Sequence, residues 1–81
     1  MIELLELDRI RSFFVKKFPN LKIAFKYNPH GEYLNLLLQK TDSINNWYGT
    51  IEAMTTYSAI AKMEYVIIDF LIRSEEKEDP D

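Results

Sequence analysis

The sequence predicts an α+β fold in the order α-β-β-(β)-α: an N-terminal helix, an antiparallel β-hairpin or three-stranded meander, and a long C-terminal helix. Three observations predict it. Apolar residues recur at three- and four-residue steps near both ends, they alternate with polar residues in the middle, and a turn motif divides the alternating segment. A meander with both helices on one sheet face would bury an apolar stripe of each helix. We therefore expect a single domain over residues 1–74 and a frayed acidic tail over 75–81.

The first predicted element is a helix from Ile2 to Phe18. Its apolar residues share one helical face: Leu4, Leu7, Ile10, Phe14 and Phe18. Acidic residues lie near its start and lysines near its end, an order that suits the helix dipole. The helix should end before Pro19.

The second predicted element is a β-hairpin from Leu21 to Lys40, with its turn at Asn28-Pro29-His30-Gly31. Apolar and polar residues alternate on both sides of this turn, so each strand should have one buried face. Closing the chain around the turn pairs Phe25 with Leu34, Ile23 with Leu36 and Leu21 with Leu38.

The segment from Trp47 to Thr56 is ambiguous. Its β-branched and aromatic residues favour a third strand, whereas a helix that begins near Asp42 is the alternative, which Gly49 weakens.

A helix should follow over Tyr57 to Lys77, capped at its start by Thr55 or Thr56. Apolar residues cover most of its circumference. Since a small domain cannot cover such a helix on all sides, we expect leftover apolar surface.

The sequence gives no sign of catalytic chemistry. It contains no cysteine and one histidine, His30, which falls in the predicted turn, and its two glycines stand apart rather than in a phosphate-binding motif. We therefore expect no enzyme activity, no metal and no cofactor. The cysteine-free composition favours a reducing compartment, and the N-terminal residues lack the basic start of a signal peptide, so a cytoplasmic protein without a membrane segment is expected.

The leftover apolar surface predicts a small protein-interaction module, such as a regulator, inhibitor or accessory factor. It would bind a partner protein or form a symmetric homodimer through the C-terminal helix. The candidate contact residues are aromatic and apolar side chains outside the first helix's main face: Trp47, Tyr48, Phe13, Met63, Ile67 and Phe70.

The alternative is nucleic-acid binding. Six basic residues and no acidic one lie between Arg9 and Lys26, although the whole chain carries a net charge of −3. The candidate contacts on the first helix and the sheet are Arg9, Lys16, Lys22, Lys26 and Tyr33.

The α-β-β-β-α order resembles the double-stranded-RNA-binding domain. Two details add to the resemblance: Asn28-Pro29-His30-Gly31 in the first hairpin turn, and Trp47-Tyr48-Gly49 before the third strand position. That family grips phosphates with a lysine-rich start to its last helix. The matching stretch here, residues 55–62, has one lysine, Lys62. The resemblance therefore implies a fold and leaves the family's function open.

Overall fold

A computed structural model describes residues 2–77, with side chains described through Ser74. Two helices flank three strands, in the predicted order: α1 Leu4–Lys17, β1 Leu21–Asn28, β2 Tyr33–Lys40, β3 Asn46–Glu52 and α2 Thr56–Lys77. The ambiguous segment from Trp47 to Thr56 forms a strand as far as Glu52, as its β-branched and aromatic residues favour, whereas Thr56 already begins α2. Of the predicted tail, residues 75–77 continue α2 and residues 78–81 lie outside the described part of the chain.

The three strands form an antiparallel meander in the order β1-β2-β3. The predicted register between β1 and β2 is wrong by two residues, because Phe25 lies opposite Leu36 and not Leu34. A shift of two positions leaves every side chain on its predicted face, since strand side chains alternate with a period of two.

The register shift has a local cause in the turn. Asn28 does not begin the loop but pairs with Tyr33 as the last residue of β1. Its Oδ1 accepts hydrogen bonds from the backbone N–H groups of His30 and Gly31, at 3.0 and 3.4 Å. Glu32 then takes a left-handed conformation, with φ of 52°. The loop therefore has four residues and not the two of the predicted turn, and this difference shifts the pairing of β1 with β2 by two positions.

Both helices pack on one face of the sheet, as predicted. The core contains Leu34, Leu36 and Leu38 of the central strand, all fully buried, together with Leu7 and Phe14 of α1. The opposite face of the sheet is not covered by any element in the described residues, and we call it the open face.

The starts of the two helices are joined. Thr55 is the N-cap of α2: its Oγ1 accepts a hydrogen bond from the Ser58 N–H, and Ser58 Oγ accepts one from the Thr55 N–H, at 3.0 and 3.3 Å. Thr56 Oγ1 accepts from the backbone N–H of Glu3 at 2.9 Å. At the other end, Phe18 after α1 and Leu71 of α2 line the same depression. The helices therefore run side by side in the same direction.

Candidate functional site

The apolar residues of α2 form two separate arcs, which follow from about 100° of rotation per residue. One arc faces the sheet and is buried: Ala59, Met63, Ile67 and Phe70. The other arc faces solvent, and we call it the outer stripe: Tyr57, Ala61, Tyr65, Ile68 and Ile72. The centres of the two arcs lie roughly 160° apart around the helix axis. The prediction of leftover apolar surface on this helix is confirmed.

The burial of the first arc corrects part of the predicted contact set. Met63 and Ile67 are fully buried and Phe70 is 6% exposed, so no partner reaches these side chains in this fold. Helical periodicity groups residues on one face but does not tell which of two apolar faces meets the sheet. Residue size gives no signal either, because each arc holds an alanine, Ala59 in the buried arc and Ala61 in the outer stripe.

The side chains of the outer stripe are well exposed for apolar residues. Tyr57 is 83% exposed and Tyr65 is 72% exposed, while Ile68 and Ile72 are each about half exposed. The stripe extends for roughly 22 Å along the helix, at 1.5 Å per residue. Beside it, Ala61 and Tyr65 line a largely apolar depression of about 330 Å³ between α2 and β3, with Ile51 on the strand side.

Charged side chains border the outer stripe. On the side of β3, the Lys62 ammonium lies 3.6 Å from the Glu52 carboxylate, and Asp69 accepts a hydrogen bond from Arg73 Nε at 2.8 Å. All four side chains are more than 40% exposed, so each keeps access to further partners. On the side of α1, Glu64 is the bordering charge. An apolar centre with a charged border is the usual composition of a protein interface.

Phe13 is the exposed aromatic residue of α1 in the predicted contact set. Its side chain is 57% exposed and contacts Phe14 edge to face, with 5.4 Å between ring centroids. The Lys17 ammonium lies 5.7 Å from its centroid, a cation–π distance. The exposed part of the ring is open to a partner.

Trp47 and Tyr48 lie on opposite faces of β3, so they do not form one contact surface. Trp47 is half-buried on the core side, and its ring covers Gly49, where an added Cβ would lie 2.6 Å from Trp47 Cη2. Tyr48 is 69% exposed on the open face, opposite Leu37. Two neighbours in a strand always diverge in this way.

The residues of the nucleic-acid alternative lie on two sides of the molecule. Lys22, Lys26 and Tyr33 share the open face, as the strand alternation predicts. Arg9 and Lys16 are exposed on α1, opposite its buried Leu7 and Phe14. The two basic sets therefore lie on opposite surfaces of the molecule, with the sheet and α1 between them.

The open face itself combines charge and apolar surface. A shallow depression of about 240 Å³ is lined by Lys26, Leu37 and Tyr48 together with Ala24, Phe25 and Asn35. Lys22 and Lys26 form no ion pair with the described residues. Tyr33 is less available, because its ring lies against Gly31 and its hydroxyl accepts a hydrogen bond from Asn28 Nδ2 at 2.9 Å. Tyr48, which the alternative did not include, is the more exposed aromatic.

Among the described side chains, which run from Ile2 to Ser74, no three of histidine, cysteine, aspartate or glutamate are grouped so that they could hold a metal ion. The helices of the same part of the chain include none with the length and hydropathy needed to cross a membrane.

No protein-family model, curated protein or solved structure matches the chain. The element order and the meander agree with what the resemblance to the double-stranded-RNA-binding domain implies for the fold. The start of α2 differs from the lysine-rich start of the last helix in that family. Its one lysine, Lys62, lies beside the Glu52 carboxylate.

Proposed function

We propose that this protein is a small non-enzymatic interaction module that acts by binding a partner protein, as a regulator, inhibitor or accessory factor does. The observation that carries the proposal is the outer stripe of α2. The proposal includes no metal and no cofactor, and it places the protein in the cytoplasm, in keeping with a cysteine-free sequence.

The size of the stripe supports a binding role. With about 200 Å² for a whole tyrosine side chain, the exposed parts of Tyr57 and Tyr65 alone amount to roughly 300 Å². The half-exposed isoleucines raise this to about 500 Å², which is near the upper end for the largest apolar patch on a monomeric protein. Tyrosine is also a frequent source of binding energy at interfaces.

The shape of the stripe defines the chemistry of the partner. A straight apolar band bordered by charges fits a second amphipathic helix laid along α2. Such a helix would present apolar residues at three- and four-residue steps. It would also present an acidic side chain near Lys62 and a basic one near Asp69. Another protein or a second copy of this chain could supply it.

The test compares two pairs of substitutions in a binding assay. Tyr65→Ser with Ile68→Ser removes the centre of the outer stripe. Leu5→Ser with Ile44→Ser is the matched control, because these two residues are 79% and 96% exposed and lie elsewhere. We expect the first pair to abolish capture of protein partners by the immobilised chain and the control pair to preserve it. Equal capture by both variants would show that the stripe does not bind.

A second candidate function, nucleic-acid binding, is favoured by one observation. The open face joins two lysines that have no ion-pair partner among the described residues to an exposed tyrosine ring. Lysines that neutralise phosphates and aromatic rings that stack on bases are the two components of single-strand binding surfaces.

This second candidate has its own test. Lys22→Glu with Lys26→Glu should abolish a salt-dependent gel shift of a generic single strand, whereas Arg9→Glu with Lys16→Glu, on the other side of the molecule, should reduce it only weakly. If no shift occurs at low salt with the unaltered protein, this candidate is excluded.

A further inference from the structure

We infer that the helix covering the outer stripe is α2 of a second copy of this chain, packed antiparallel about a two-fold axis. The inference rests on the proposed function and names its partner. Symmetric pairing requires that a surface be complementary to itself, and three features of the described residues meet that requirement.

The first feature is the spacing of the apolar residues. Ala61, Tyr65, Ile68 and Ile72 follow each other at steps of four, three and four, which is the seam pattern of two packed helices. In an antiparallel pair, Tyr65 lies beside Ile68 of the second copy, and Ala61 lies beside Ile72 of the second copy. Each layer then combines one smaller and one larger side chain.

The second feature is the charge along the border on the β3 side. The antiparallel arrangement brings Lys62 of one copy next to Asp69 of the second copy, and symmetry repeats the pair. Because Lys62 already contacts Glu52 and Asp69 already contacts Arg73, each pair extends into a row of four charges of alternating sign. A parallel arrangement would instead place Glu64 near Asp69 of the second copy, which is a like-charge contact.

The third feature is the level of Phe13. Because α1 and α2 run side by side, with Glu3 level with Thr56 and Phe18 level with Leu71, Phe13 lies level with Val66. The two-fold axis passes midway between Tyr65 and Ile68, and Val66 lies between these two residues in the sequence. Phe13 therefore lies close to the two-fold axis. Lys17, one helical turn after Phe13 on α1, lines a depression with Leu71 of α2, so Phe13 lies on the α2 side of α1. The exposed rings of the two copies therefore approach each other beside the helix pair and extend its apolar centre.

The available area is sufficient for a dimer. The outer stripe and Phe13 together expose about 600 Å² per copy, and burial on both copies gives about 1,200 Å², the lower limit for stable interfaces. Lys16 and Lys17 of the two copies also approach each other near the axis, which opposes association. We therefore expect a dimer that dissociates at micromolar concentrations, with affinity from the apolar stripe and orientation from the charge pairs.

A charge exchange between two variants tests the arrangement. Lys62→Glu alone and Asp69→Lys alone each turn both charge pairs of the homodimer into like-charge contacts, so each variant should dimerise about tenfold more weakly than the unaltered chain. In an equimolar mixture, a heterodimer of the two variants recovers both attractive pairs. Analytical ultracentrifugation from about 1 to about 500 µM measures the association, and circular dichroism shows that each variant is folded.

The outcomes separate this inference from the proposed function. Recovery of the dimer only in the mixture supports the antiparallel pairing. A dimer that neither substitution weakens, or a mixture that shows no recovery, overturns it. An unaltered chain that stays monomeric at the highest concentration also overturns it. The proposed function survives that last result if Tyr65→Ser with Ile68→Ser still abolishes capture of another protein.

Discussion

Two neighbouring isoleucines of α2 test the assignment of its buried and exposed arcs. Ile67 is fully buried in the core, whereas Ile68 is 49% exposed on the outer stripe. The substitutions Ile67→Ala and Ile68→Ala remove the same atoms from adjacent positions of one helix, so intrinsic helix propensity changes equally in both. The difference between their effects on the free energy of unfolding therefore reports the burial of each side chain.

The expected magnitudes differ several-fold. Ile67→Ala loses the full transfer free energy and leaves a cavity, at a cost of about 2–5 kcal/mol. This is a large part of the roughly 4–12 kcal/mol available to a domain of this length. Ile68→Ala loses about half of the burial free energy of the side chain, near 1 kcal/mol. The higher helix propensity of alanine offsets roughly 0.4 kcal/mol of this loss. In thermal terms, we expect a fall of roughly 10–30 °C for Ile67→Ala and of a few degrees for Ile68→Ala.

Urea unfolding followed by circular dichroism measures both variants. The protein concentration should be low, about 5 µM, so that any association through the stripe does not add to the apparent stability. Ultracentrifugation of the same samples at high concentration gives the complementary result, because only Ile68→Ala should weaken self-association while preserving the fold. Equal losses of stability for the two variants would contradict the orientation of α2 and remove the basis of the proposed function.

Three further substitutions test local features of the fold. Gly49→Ala should cost about 1–3 kcal/mol and shift the fluorescence of Trp47, because the new Cβ meets the indole ring; an unshifted spectrum would contradict this contact. Thr55→Ala should cost about 0.5–2 kcal/mol in thermal unfolding, since it removes the N-cap acceptor for Ser58, and Thr55→Ser should restore most of it. Asn28→Ala should cost about 1 kcal/mol, whereas Asn28→Asp should cost less because it keeps the acceptor oxygen. Equal costs for the two variants would disprove the role of Oδ1.

The turn shows how far the pattern of the hairpin could be predicted. The alternation of apolar residues places Phe25 on the core face, and that placement is confirmed because it depends only on the two-residue period of a strand. The partner of Phe25 depends on loop geometry. The two hydrogen bonds accepted by Asn28 and the left-handed Glu32 lengthen the loop, and neither follows from the composition of the turn.

The candidate site divides in the same way. Its helix, its apolar character and the presence of leftover surface were all predicted. The particular residues were not, since Met63 and Ile67 are buried and Tyr65 and Ile68 are exposed. A helix with two apolar arcs can be rotated about its axis without changing its sequence pattern. The choice between the arcs depends on which one packs more closely against the strands.

The sequence left the third strand open between strand and helix, but by itself it determined the type and order of the other elements and the face to which each hairpin residue belongs. These properties follow from backbone propensities and from side-chain periods within one element. The tertiary structure alone decided the register of the hairpin, the rotation of α2 and the separation of Arg9 and Lys16 from Lys22 and Lys26 by the sheet and α1. Each of these depends on contacts between residues distant in the chain, which no local pattern records.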